Sequence, residues 1–190
     1  MKVFYFIKII PVLIVLILNA QTSYGYSKNI NIKDVTTTVF LDWTILDTVP
    51  LYSEPGGTIQ KNLLCTNINT DDITMIDIIS VNDSMYQISA YSGDNDSVIG
   101  IGWIYKSAPI RVTSRLYTPS DNLIIYNNQD QRCPTHILSS FQLPASGLLD
   151  VMDVNPADGW IRIRINVASN VVEGWIPKNS YCGNPYTTCG

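Results

Sequence analysis

The chain has few of the residues that favour α-helices. Among its 190 residues are only 6 Ala and 2 Glu, against 26 Ile and 14 Asp. Ala, Glu and Leu stabilise helices, whereas β-branched and aromatic side chains favour strands, so the composition excludes a helical bundle. Hydrophobic residues make up 46% of the chain and charged residues 15%, which excludes general disorder. We therefore predict a folded, all-β protein.

Histidine is almost absent, which limits the catalytic chemistry available to the chain. A cysteine peptidase needs a Cys and a His together, and His136 is the only histidine. Pro134 separates it from Cys133 and prevents a helix that would hold both side chains on one face. Serine-hydrolase elbows, phosphate loops and His-Glu-x-x-His motifs are missing too. We predict that the protein has no catalytic residues and is not an enzyme.

The chain also lacks a run of basic residues. Its 12 Lys and Arg are outnumbered by 16 Asp and Glu, and the loss of Lys2 and Lys8 with a signal segment would change the net charge from −4 to −6. An acidic chain has no electrostatic attraction to phosphate backbones, so nucleic acid is excluded as a partner. The acidic clusters have the composition of turns, as at 94–96, rather than the spacing of a calcium loop. No metal or cofactor is predicted.

The first 25 residues resemble an export signal. Two lysines accompany an uninterrupted apolar run at 9–18, and small residues follow, with cleavage possible after Ala20 or after Gly25. The run is shorter than the roughly 20 residues that span a bilayer, so an uncleaved membrane anchor is the weaker alternative. We predict that 1–25 is a cleaved signal peptide. The mature protein is then periplasmic or extracellular and not embedded in a membrane.

The remaining chain contains an internal repeat. Gly-Trp-Ile at 102–104 recurs at 174–176, an offset of 72, and Leu51-Tyr52 matches Ile125-Tyr126 at an offset of 74. Anchors in the same order in both segments indicate two copies of one unit of about 70 residues. The predicted organisation is a first copy at 34–107, a second copy at 112–183 and a short tail at 184–190.

Each copy shows the alternation of a half-buried strand. In 160–165, three isoleucines alternate with Trp160 and two arginines, and a similar strand begins at Tyr86, which aligns with Trp160 at an offset of 74. Turn residues such as Pro-Gly and Asp-Gly separate the strands. Strands of five to seven residues joined by such turns predict a small barrel or sandwich in each copy.

These motifs resemble the bacterial SH3-like (SH3b) domain. The resemblance lies in Leu-Tyr-Ser-Glu-Pro-Gly at 51–56, Asp-Gly-Trp-Ile-Arg-Ile at 158–163 and Glu-Gly-Trp-Ile at 173–176. It departs from the family pattern at 125–128, which lacks the Pro-Gly turn. The resemblance implies two tandem SH3-like β-barrels that bind cell-wall peptidoglycan or short peptides without catalysis. The alternative is a small secreted interaction or inhibitor protein, whose acidic surface recognises a basic protein partner.

Aromatic residues at matched places are the predicted ligand-binding residues, because rings give a large contact area and grooves of the SH3 type bind peptides through them. By this resemblance, a peptide groove would be lined by Tyr52, Tyr86, Tyr126 and Trp160. The alternative for all four is ordinary packing, the commoner role of aromatics in a small barrel. Trp103 and Trp175 are predicted to be core residues.

Four cysteines remain to be assigned. Export favours disulfides over thiols, and the seven-residue separation of Cys182 and Cys189 makes them the preferred pair, which would leave Cys65 and Cys133 to link the two copies. The alternative is a tetrahedral zinc site that combines Cys133 and His136 with the two C-terminal cysteines. Export favours the disulfide, so no metal site is predicted.

Overall fold

Backbone hydrogen bonds join the strands of the chain into one large antiparallel sheet. The computed structural model describes residues 37–67, 72–116, 118, 120–129 and 134–185. The all-β class predicted from the composition is confirmed. The predicted signal peptide at 1–25 lies outside the described residues, as do Cys133 and Cys189. No helix in the described ranges is long and apolar enough to cross a membrane.

The strands and two short 3-10 helices are numbered in chain order. The first seven strands are β1 (Thr37–Leu41), β2 (Thr48–Tyr52), β3 (Ile59–Leu64), β4 (Thr66–Asn67), β5 (Asp72–Val81), β6 (Met85–Ser92) and β7 (Val98–Tyr105). The others are β8 (Ile110–Ser114), β9 (Asn122–Tyr126), β10 (Pro134–Ser139), β11 (Leu148–Asn155), β12 (Trp160–Val167), β13 (Asn170–Ile176) and β14 (Tyr181–Cys182). The 3-10 helices are Ser140–Gln142 and Lys178–Ser180.

The strand order repeats the same arrangement on both sides of the sheet's centre. It runs β10-β9-β13-β12-β11-β8-β1-β5-β6-β7-β2-β3, with β14 paired to β8 and β4 paired to β5. In the first half (β1–β7), the hairpin β2–β3 is inserted in the chain between β1 and the meander β5–β6–β7, whereas in the sheet β1 pairs with β5 and the hairpin pairs with β7. In the second half (β8–β14), the hairpin β9–β10 is inserted in the same way between β8 and β11–β12–β13. The repeat in the sequence is therefore visible in the topology.

Strand β8 belongs to both halves. It pairs with β1 through Leu41 and Ile110, and with β11 through Val112 and Leu149. β14 then pairs with β8 as β8 pairs with β1. β8 thus occupies the last position of the first half and the first position of the second. The predicted start of the second copy, residue 112, falls inside this shared strand.

Alternating side chains explain where the core lies. On β12, Ile161, Ile163 and Ile165 are buried, whereas Arg162 and Arg164 between them are exposed. Most buried hydrophobic side chains of both halves form one continuous cluster, and Phe40, Ile73 and Met75 form a smaller one. Burying each such aliphatic side chain contributes about 1.5–3 kcal/mol. The two halves are therefore joined by their core as well as by β8.

The pairing register relates the central strands of the two halves. Ile88 on β6 pairs with Gly102 on β7, and Ile163 on β12 pairs with Gly174 on β13. Ile88 therefore corresponds to Ile163, an offset of 75, where the sequence alignment predicted 74. Because side chains alternate between faces, a shift of one residue changes which aromatic residues are equivalent.

Candidate functional site

Three aromatic side chains form what we call the first aromatic cluster, on the outer face of the first half. Tyr52 lies directly opposite Trp103 across the β2–β7 pair, so their side chains share a face. Tyr105, two residues further along β7, lies on the same face. The rings of Tyr52 and Tyr105 meet edge to face, with their centroids 5.2 Å apart and their planes at 77°. This is a favoured geometry for an aromatic pair.

The glycine of each Gly-Trp-Ile motif allows the hairpin to approach the meander. A Cβ atom on Gly102 would lie 2.5 Å from the carbonyl oxygen of Tyr52, and one on Gly174 would lie 2.7 Å from that of Tyr126. Real Cβ atoms essentially never make contacts under 3.0 Å. The glycine is therefore needed for the tyrosine and the tryptophan to stand side by side.

The second aromatic cluster lies at the matching place on the second half. Tyr126 is directly opposite Trp175, and the ring of Trp160 meets the ring of Tyr126 edge to face at 5.6 Å and 75°. The third ring here comes from β12, whereas in the first half Tyr105 comes from β7. Met85 pairs with Tyr105, and by the offset of 75 the position of Met85 is the position of Trp160.

The two clusters differ in how much of the third ring solvent can reach. Tyr105 is 44% exposed, whereas Trp160 is 6% exposed. Tyr52 and Tyr126 are both half-buried. Of the two described clusters, the first therefore offers the more accessible aromatic surface.

The predicted site residues separate into surface and core positions. Tyr52 and Tyr126 lie at equivalent places, and each contacts another ring. Tyr86 is 0% exposed and belongs to the core, and burial, with a smaller contribution from the Asp153 carboxylate, strongly raises the pKa of its phenol. Lys106 lies over the face of the Tyr86 ring, 5.6 Å from its centroid.

Trp103 and Trp175 are half-buried on the outer face and are not part of the core that the sequence predicted for them. The alternation itself contains the signal for this placement. Ile104 and Ile176 are fully buried, so each preceding tryptophan must point to the other face. Core positions were predicted because each tryptophan follows a Gly in an apolar strand, but an apolar strand does not by itself specify which face a residue occupies.

A groove leads away from the first aromatic cluster. Its near part, about 120 Å³, is lined by Leu46, Val49, Pro50, Tyr105, Ser107 and Ala108. Its far part, about 350 Å³, shares Leu46, Ser107 and Ala108 with the near part. The two parts are therefore adjacent, and together we call them the junction groove because the far part reaches β11 and β12 of the second half.

The far part of the junction groove is charged. Among its lining residues are Asp42, Lys106, Arg111, Asp150 and Arg164. Nε of Arg111 lies 2.7 Å from Oδ1 of Asp150 and 3.1 Å from Oδ2 of Asp42, and thus pairs with a carboxylate from each half. Lys106 of the first half also pairs with a carboxylate of the second half, that of Asp153, at 3.0 Å. Charged pairs from both halves therefore surround this end of the groove.

A second cavity lies in the first half, away from the aromatic residues. It has a volume of about 510 Å³ and lies between β3 and the loop that joins β6 to β7. Asp72 in its wall accepts hydrogen bonds from the hydroxyl of Ser92 and from the backbone N–H of Asp94. The lining contains no aromatic side chain. The matching loop of the second half has only two residues, 168–169, and is too short to form the same wall.

The residues considered for catalysis are far apart in the strand order. His136 is exposed on β10, at one end of the order, and Cys65 follows β3 at the other. Burial, together with Asp42 and Asp47, raises the pKa of the Cys65 thiol to about 11, which disfavours the reactive thiolate. Cys182 is buried on β14, and Cys189, its predicted disulfide partner, lies outside the described residues.

Metal binding has no candidate donor set in the part of the chain that the structure describes. No group of three or more His, Cys, Asp or Glu side chains there could hold an ion. The zinc alternative also requires Cys133 and Cys189, which lie outside that part.

Comparison with protein families, curated proteins and solved structures finds no match to this chain. The site is therefore described by its own geometry. Its elements are two equivalent aromatic clusters, one accessible and one largely buried, and a groove that begins at the accessible one.

Proposed function

We propose that the protein is a noncatalytic, exported binding module that recognises short peptides, with the peptides of bacterial cell-wall peptidoglycan as the ligand class. The binding site is the first aromatic cluster together with the junction groove. The observation that carries the proposal is the accessible ring of Tyr105, packed edge to face on Tyr52 where the groove begins. Aromatic-lined grooves are a common way to bind extended peptides.

The architecture supports this proposal at the level of the fold. Each half combines a three-stranded meander, a flanking strand and an inserted hairpin, an arrangement suited to a small antiparallel barrel. We propose that the halves are the two SH3-like barrels that the sequence resembles. They share β8, so they act as one unit and not as two domains joined by a flexible linker.

Export is the second part of the proposal. The amphiphilic start of the chain supports a signal peptide at 1–25, and the acidic mature chain has little attraction to anionic membranes or nucleic acid. A periplasmic or extracellular location also favours the Cys182–Cys189 disulfide, which would fix the tail after β14.

A protein partner is the second candidate, supported by exposed apolar side chains around the first aromatic cluster. Ile59 is directly opposite Tyr52 and is 55% exposed, and Ile101, two residues before Trp103, is 54% exposed. Exposed apolar surface that surrounds aromatic rings is typical of interaction sites. In this reading the protein is a small secreted interaction or inhibitor protein.

The two candidates are separated by sedimentation with insoluble peptidoglycan. The experiment uses residues 26–190, which include the whole compact unit 32–190. We expect the wild type to sediment and a Tyr52→Ala plus Tyr105→Ala variant, shown to be folded by circular dichroism, to stay in solution. The matched control is Tyr126→Ala, at the equivalent place in the second half, which should still sediment.

A wild type that stays in solution contradicts wall binding, and its co-purification with a single protein would favour the interaction reading. If Tyr126→Ala abolished sedimentation while the double variant did not, the site would belong to the second half.

A further inference from the structure

Basic side chains are concentrated at the far part of the junction groove. The described residues include seven Lys or Arg, which are Lys61, Lys106, Arg111, Arg115, Arg162, Arg164 and Lys178. Three of the seven line the far part of the groove, but only two of the thirteen described Asp and Glu do so. Basic side chains therefore outnumber acidic ones among the residues that line this end of the groove.

The two acidic residues of the lining are already occupied. The side chain of Asp42 is 1% exposed, accepts hydrogen bonds from the backbone and hydroxyl of Thr44, and faces Arg111. Asp150 accepts a hydrogen bond from Arg111. Arg111 is therefore balanced within the wall of the groove, and Lys106 is paired with Asp153 at 3.0 Å. The basic side chain of the lining that keeps donors for a ligand is Arg164.

Arg164 has donors to spare. Its Nε donates to Glu173 at 2.7 Å, and Glu173, which is not part of the groove lining, is shared with Arg162. Within the described part of the chain, the two terminal nitrogens of Arg164 make no hydrogen bond, and its side chain is 45% exposed. A guanidinium with free N–H groups binds a carboxylate through charge-assisted, often paired, hydrogen bonds.

We propose that the far part of the junction groove binds the free C-terminal carboxylate of a short peptide whose preceding apolar side chains lie against Leu46 and the first aromatic cluster. Arg164 donates to the carboxylate through its terminal nitrogens. The groove has the Tyr105 ring at one end and the Arg164 guanidinium at the other, and this difference sets the direction in which the peptide binds. This inference rests on the proposed function and specifies its ligand.

The test compares peptide acids with peptide amides. Random tetrapeptides with free C-terminal carboxylates, and the same mixture with amidated ends, are passed over immobilised residues 26–190, and the retained peptides are measured by mass spectrometry. We expect the acids to be retained about tenfold more than the amides, the effect of one charge-assisted hydrogen bond. Arg164→Gln should reduce this preference to less than about twofold.

Arg162→Gln is the matched control. Arg162 lies on the same strand and face and binds the same Glu173, but it does not line the groove, so the preference for acids should persist. Equal retention of acids and amides by the wild type would overturn the inference and leave peptide binding intact. If Arg162→Gln and Arg164→Gln reduced the preference for peptide acids equally, the carboxylate would not be bound by the groove. Retention of neither mixture would contradict the proposed function itself.

Discussion

The two halves of the molecule share a topology but use it differently. In the first half the third ring of the aromatic cluster comes from β7 and is 44% exposed, and in the second half it comes from β12 and is 6% exposed. In both halves the backbone places a Tyr beside a Trp, and an equivalent glycine, Gly102 or Gly174, allows this close approach. The two clusters thus differ in which strand carries the third ring, and this difference accompanies the change from an exposed cluster to a packed one.

The rest of the outer face follows the same division. In the second half Glu173 pairs with Arg162 at 3.1 Å and with Arg164 at 2.7 Å. The matching positions of the first half hold Gln87, Ser89 and Ile101, none of which is charged. The first half therefore presents apolar and neutral surface around its cluster, and the second presents paired charges.

The largest expected difference between the halves is in the cost of removing the third ring. Trp160→Ala should lower the free energy of unfolding by about 3–5 kcal/mol, because it leaves a cavity in a packed region. Tyr105→Ala should lower it by less than about 1 kcal/mol, because much of the ring is already in water. Urea unfolding measures both, and similar losses in the two variants would remove the distinction between a packed and an accessible cluster.

Substitution of Arg111, which pairs with a carboxylate from each half, should lower the free energy of unfolding by nearly as much. Arg111→Met removes the cation that faces the buried carboxylate of Asp42, and an uncompensated buried charge costs about 3–5 kcal/mol. Combining Arg111→Met with Asp42→Asn should recover part of the loss, which a double-mutant cycle would show. Strictly additive losses would mean that the two side chains do not interact.

A smaller effect concerns the charged surface of the second half. Hydrogen bonding from Arg164, assisted by Arg162, lowers the pKa of Glu173 below its usual 4.5. A carboxylate whose pKa is lowered by folding stabilises the native state above its unfolded pKa, and this contribution is lost as the pH falls through the folded pKa. An NMR titration should find the lowered pKa and its return towards 4.5 in Arg164→Gln. An unchanged pKa in that variant would show that the pair is not formed in solution.

Much of the fold could be predicted because composition and alternation are local properties. The excess of Ile over Ala indicated strands, and the recurrence of Gly-Trp-Ile indicated a repeated unit. The equivalence of Tyr52 and Tyr126 also followed, because each lies at the end of a short strand next to its turn. The equivalence of β6 and β12 was predicted one residue out, because the sequence alignment matched Tyr86 to Trp160, whereas the strand pairing makes Met85 the equivalent of Trp160.

The junction groove could not be predicted for a different physical reason. It is formed where the segment after β1 meets the segment after β7 and the outer face of β11 and β12. These contacts join residues that are far apart in the chain, such as Arg111 and Asp150, which are 39 positions apart, and no local pattern encodes them. In the sequence, Lys106 and Arg164 are indistinguishable from other surface charges. They line one groove because the shared strand β8 places the two halves side by side.

The most direct test of the account is an NMR titration of residues 26–190 with soluble peptides released from peptidoglycan, followed through the indole N–H signals of the four tryptophans. Trp103 lies in the first cluster, and Trp160 and Trp175 lie in the second. We expect the Trp103 signal to shift on binding while the signals of the second cluster stay in place. A shift of Trp160 and Trp175 with an unchanged Trp103, or no shift at all, would contradict a binding site in the first half.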